Sequence, residues 1–140
     1  MALTQTATNA FKTGLMTGAY NFNSDTFKIA LYTAEATLDE TTATYTSSYE
    51  VVATGYTAGG EPLTVSVTPT TGYSGNIAYI SFSNVTWNAA LIARGALIYD
   101  VTNGNQTVCV LNFGADKTST TTFTVQFPAA TNNSAIIRIA

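Results

Sequence analysis

The sequence predicts an all-β fold: a sandwich or jelly-roll-like domain of six to eight short strands with one short N-terminal helix. Three observations predict it. Threonine, a β-branched residue suited to the pleated sheet, occurs 27 times in 140 residues. Short runs that alternate apolar and polar residues recur along the chain, separated by Gly, Asn and Pro turns. Finally, the stretch 77–113 carries two apolar runs joined across Asn103-Gly104, the strongest short-range hairpin signal a sequence offers.

The elements follow in order. Leu3, Ala7, Ala10, Phe11 and Leu15 recur at a spacing of three to four residues, which predicts a short amphipathic helix within 3–17. Thr4 or Thr6 is its expected cap, Gly14 weakens its last turn, and Gly18 stops it. Residues 1–20 read as a helical or arm segment that docks on the sheet or on a neighbouring subunit. Residues 21–25 are turn chemistry. A strand over 26–33 points Phe27, Ile29 and Leu31 to the core and Lys28, Ala30 and Tyr32 to solvent or a partner.

From 34 to 60 the pattern loosens, over a stretch holding Glu35, Asp39, Glu40 and Glu50 with Tyr45, Tyr49 and Tyr56. A segment this long without periodicity reads as a binding arm or as a surface loop with short helical turns. Leu63, Val65 and Val67 alternate as a half-buried strand, and 69–75 is a cluster of breakers. Strands follow at 76–83, 91–99 and 107–113, with a bend at 84–88 and a polar loop at 115–119. A strand over 121–127 stops at Pro128, and a terminal run over 135–139 needs a sheet to order it. Trp87 is read as core, closing one end of the domain.

Length and composition suit one domain over 1–140, with 46% hydrophobic residues to fill one core. Only 9% of residues are charged, against about a quarter in ordinary domains, so Thr, Ser, Asn and Tyr must cover the surface. The net charge is −3 and the five cations are scattered, which argues against direct nucleic-acid binding. No run reaches the roughly 18 apolar residues of a spanning helix, and 1–6 has neither the basic nor the apolar region of a secretory leader. A cytosolic site of synthesis is expected. Asn84, Asn105 and Asn132 begin glycosylation-acceptor triplets, which matter only on a eukaryotic secretory route that nothing in the sequence supports.

The chemistry of catalysis is thin. With no histidine, the commonest general base and transition-metal ligand is missing, and the lone Cys109 has no imidazole to activate it. Cys109 reads as a small buried hydrophobe. The carboxylates select no pair by spacing, no calcium loop or phosphate-cradling loop is present, and no enzyme, metal or cofactor is expected. Arg94 interrupts an apolar strand, so it must face solvent, pair with Asp100 or Asp116, or bridge to another subunit.

With these residues in view, the chain resembles a family of small virion structural proteins of tailed bacteriophages. The resemblance lies in FNSDTFKIALYT at 22–33, GYTAGG at 55–60, ARGALIY at 93–99 and VLNFG at 110–114 with Asp116 and Lys117. It continues through FTVQFP at 123–128 to the terminal IIRIA, and so covers nearly the whole chain. It implies a non-catalytic protein, located in the virion and assembled in the host bacterial cytoplasm. The first expectation is a capsid decoration (cement) protein that binds the major capsid protein and associates with itself, a trimer first. A neck, tail or fibre component is second, and a glycan-binding module on the virion third. Phe11, Leu15, Tyr45, Tyr49, Tyr56 and Arg94 are the candidate assembly contacts, with no role for membrane.

Overall fold

Ten strands and one helix appear in the computed structural model, which describes residues 2–71, 77–131 and 134–139. Residues 72–75 of the breaker cluster, Asn76, Asn132 and the final Ala140 lie outside the described residues. The main sheet has five antiparallel strands in the order β1 (Thr6–Ala7), β8 (Gln106–Thr118), β7 (Ile92–Asp100), β2 (Phe27–Tyr32) and β3 (Glu61–Leu63). A three-stranded sheet orders β10 (Ile137–Ile139), β5 (Ala78–Phe82) and β4 (Val65–Thr71), and a ribbon pairs β6 (Val85–Trp87) with β9 (Phe123–Val125). Together they form an all-β sandwich with one helix, α1 (Asn9–Thr17). Ten strands exceed the expected six to eight because β1 and β6 are too short to show a period, and because one predicted strand is two.

That split falls at Thr64. Leu63 ends β3 in the main sheet, while Val65 begins β4 in the other, so a single alternating run crosses between layers. The 84–88 bend is likewise a strand, β6, and it buries Trp87 to 1% exposure, as core. Its indole meets Tyr56 edge-on at 6.0 Å and Phe123 at 6.3 Å.

The hairpin of β7 and β8 forms where the sequence placed it, with its turn one residue later. Gln106 N–H donates to the Asn103 carbonyl, and Gly104 and Asn105 both take positive φ (63° and 61°), as a tight hairpin turn demands. Gly104 and Asn105, not Asn103 and Gly104, are therefore the central pair. β8 also runs through the polar loop expected at 115–119. Its register with β7 jumps from Gly95↔Asn112 to Ala93↔Lys117, so 113–116 bulge out before pairing resumes.

Both faces of β2 are covered. Phe27, Ile29 and Leu31 enter the larger core against β5, β6 and β9, while Ala30 and Tyr32 enter a second core with Leu97, Tyr99 and Val110. The sequence expectation of an open face at Ala30 and Tyr32 is corrected here, because residues 34–60 fold over it. The helix starts later than expected for a related reason. Leu3 bridges Leu38, and Thr6 and Ala7 pair with Val110 and Cys109, so the chain stays extended until Thr8 caps α1.

Candidate functional site

The helix is fixed by a buried cap. Thr8, fully buried, accepts from Phe11 N–H at 3.2 Å, and its hydroxyl lies 2.9 Å from that of Thr107 on β8. Neither Thr4 nor Thr6 caps the helix. At its far end Gly18, at φ 75°, donates to the Leu15 carbonyl, and Ala19 donates to that of Gly14. Gly14 has a second role: a β-carbon there would collide with the Tyr20 ring, whose hydroxyl donates to the Thr107 carbonyl at 2.7 Å. The helix is thus pinned at both ends to one strand.

This placement turns Phe11 inward, where it is 5% exposed and meets Tyr20 and Phe22 edge-on. Leu15 is 36% exposed, and Met16 stands in solvent. Beyond Leu15 runs β10, paired with β5 on one side only. Between β10 and the wall formed by α1, β1 and β8 lies a groove of about 360 Å³, floored by Phe11, Val108 and Cys109. A second hollow of about 270 Å³ lies against Tyr20, Phe22 and Ile80, and both share Phe11, Leu15, Ile137 and Ile139. Ile139 is half exposed. The groove is apolar below, and Lys12 and Arg138 line it as well.

Residues 34–60 form no arm and no helical turn beyond simple turns; they are a cover. Backbone bonds tie it down: Val51 N–H to the Leu31 carbonyl, Tyr45 N–H to that of Asn105, and Thr107 N–H to that of Ala43. At its centre Glu50, 7% exposed, accepts from the Tyr45 and Tyr56 hydroxyls, each at 2.6 Å, and from Gly59 N–H at 2.8 Å. Tyr56 in turn accepts from Leu31 N–H, and Tyr99 donates to the Gly59 carbonyl at 2.6 Å. Burial, and then the Glu50 carboxylate, push the Tyr99 hydroxyl up to about 12; burial and the Glu50 hydrogen bond push Tyr56 higher still. Gly60 allows the chain to pass against β2, because a β-carbon there would strike the Ile29 carbonyl.

The sequence candidates therefore separate. Phe11 and Tyr56 are core, and Tyr45 is half-buried, stacked on Tyr99 with centroids 4.9 Å apart. Leu15 faces the groove. Tyr49 is 53% exposed and holds positive φ (59°), unusual for a tyrosine, while its carbonyl accepts from Thr33 N–H. Arg94 pairs with Asp116 at 2.9 Å, with both side chains partly in solvent, so one of the two carboxylates named from sequence is its partner. The structure does not gather the six residues at one place.

Among the described residues no three Cys, Asp or Glu cluster as a metal would need. Cys109 is buried, and burial pushes its thiol up to about 12, so it holds its proton and is a poor nucleophile. Asp39 is held below the usual carboxylate range by the Thr41 hydroxyl and N–H, an ordinary turn interaction. What sequence reasoning missed are the groove residues Lys12, Ile137, Arg138 and Ile139 and the Glu50 hub. Ile-Arg-Ile alternates, which signals a strand but not its free edge. Compared with protein-family models, curated proteins and solved structures, the chain matches none of them.

Proposed function

We propose that this chain is a structural protein of a tailed-bacteriophage virion, a capsid decoration protein that binds and stabilises the shell. The resemblance over nearly the whole sequence supports the virion. The groove supports the assembly role: Leu15 and Ile139 stay accessible, and Ile137 partly so, around an apolar floor on a rigid sheet, where a partner would bury them. Strand scaffolds with locked side chains lose little entropy on docking, which suits a protein that staples subunits. Self-association as a trimer would multiply such contacts on a symmetric shell.

A neck, tail or fibre component shares every one of these features and stays second. The glycan-binding reading loses ground, because it drew on Tyr45, Tyr49 and Tyr56 as surface tyrosines and only Tyr49 is exposed.

Copy number per particle tests the proposal, by densitometry of purified virions against the major capsid protein. The expected result approaches one copy per capsid subunit, or a fixed fraction such as one third. A count of about six or about twelve assigns the chain to the neck or tail, and absence from the particle overturns the virion reading.

A further inference from the structure

We propose that the groove beside α1 docks an extended segment of a partner protein, added as a strand to the free edge of β10 and carrying carboxylates toward Arg138 and Lys12. The assignment rests on the assembly role proposed above and names the chemistry of the partner. Three observations carry it. First, β10 is the last strand of its sheet, and among the described residues none of its backbone groups bonds to anything but β5. An edge strand turns alternate N–H and C=O groups outward, a template for one more strand. The groove lies along that edge, and its apolar floor would accept every second side chain of an added strand.

Second, the charge of the groove is of one sign. Of the five cations in the chain, Lys12 and Arg138 both line it, and no acidic residue does. Arg138 lies opposite Tyr79 on β5, and among the described residues the only ion pair is Arg94 with Asp116. In a chain of net charge −3, two cations with no acidic partner among the described residues, beside an apolar trough, are complementary to carboxylates.

Third, a second copy of the same strand is disfavoured. Antiparallel pairing of β10 with itself, over all three of its residues, sets Arg138 directly against Arg138, and like charges opposite each other destabilise a strand pair. The same arginine that repels a twin attracts an acidic strand.

The test uses the isolated chain and short synthetic peptides, so it is independent of particle copy number. Isotope-labelled protein is titrated with a peptide alternating valine with glutamate, and with its twin carrying lysine in place of glutamate. The expected result is saturable shifts in the amides of β10 and α1 for the glutamate peptide, with cross-strand contacts to Ile137 and Ile139, and binding about tenfold weaker for the lysine peptide. Arg138→Glu, a change at an exposed site, should reverse that preference; Lys12→Glu should weaken the glutamate peptide alone. Equal binding of both peptides, shifts away from β10, or no saturation overturns the proposal. So does self-association through β10, since a second copy then fills the groove. A normal virion copy number with a failed titration would sink only the strand-docking proposal.

Discussion

On one face of the main sheet, Phe27, Ile29, Ile98 and Val108 meet a second layer of strands. On the other, Ala30, Tyr32, Leu97 and Tyr99 meet a segment that has almost no regular structure. The first interface is held by shape and apolar area, through rings such as the stacked Phe22 and Phe27 at 4.7 Å. The second adds to its own apolar cluster hydrogen bonds that converge on one buried carboxylate, one of whose partners, Tyr56, reaches into the first core beside Trp87. Apolar packing is non-directional and spread over many contacts, so it yields by degrees. A hydrogen-bonded hub is directional, and it fails at one atom.

The largest effect should therefore come from the apolar side. Trp87→Ala empties the site between Tyr56 and Phe123 and is expected to cost about 3–5 kcal/mol, a large fraction of a small domain's stability. Urea unfolding followed by circular dichroism measures it. Trp87→Phe should cost clearly less. The indole N–H is buried with no acceptor among the described residues, so phenylalanine removes an unsatisfied donor along with volume. Equal losses for the two variants would mean that a phenyl ring recovers none of the indole's packing and that removing the buried N–H brings no gain.

The hub should break differently. Glu50→Gln keeps the shape but replaces one acceptor oxygen with a donor, leaving a tyrosine hydroxyl or Gly59 N–H without its partner. The expected cost is about 2–3 kcal/mol. Its signature is local: hydrogen exchange should quicken across 43–60 while amides of β7 and β8 keep their protection, because the cover can open without the sandwich. Uniform acceleration of all amides would show instead that the two cores unfold as one.

How far each face was legible in the sequence follows from the same contrast. Period-2 patterns mark residues that share a face, so β2, the β7–β8 hairpin, β9 and the terminal β10 were all readable. They failed where a pattern outlived its sheet, as at Thr64, or was only three residues long, as in β6. The cover had no such signal. Glu50 meets residues five, six and nine positions away that share no period, and Tyr99 joins them from 40 residues beyond Gly59. A long stretch rich in Tyr, Thr and Glu therefore looked like an arm. The groove was invisible for another reason: it lies between Thr6, Leu15, Cys109 and Ile139, residues that only the topology brings together.

Asp100 offers the smallest and most diagnostic test, because it is a second buried carboxyl with the opposite solution. It points to the same face as its cross-strand partner Phe27 and is fully buried, yet while its Oδ1 accepts from Asn103 N–H at 3.2 Å, its Oδ2 has no partner among the described residues. Burial, and then the neighbouring Asp25 carboxyl, push it up to about 7 from an ordinary 3.8. Where Glu50 is met by three donors, Asp100 lies beside a second carboxyl, Asp25, and near Tyr20, whose hydroxyl burial and Asp100 push up to about 12. Between pH 4 and 7 the folded chain thus binds more protons at this site than the unfolded one, so its contribution to stability falls as pH rises through that window and stays low above it. Asp100→Asn keeps the acceptor for Asn103 and supplies a permanent donor toward Asp25. The variant should match the parent near pH 4 and exceed it at pH 8 by about 1–2 kcal/mol, less than an isolated shift of that size would give because a second carboxyl lies beside it. Urea midpoints at the two pH values measure the difference. Parallel pH profiles for the two proteins would mean that Asp100 is ionised at neutral pH and that the end of the sheet tolerates a bare charge.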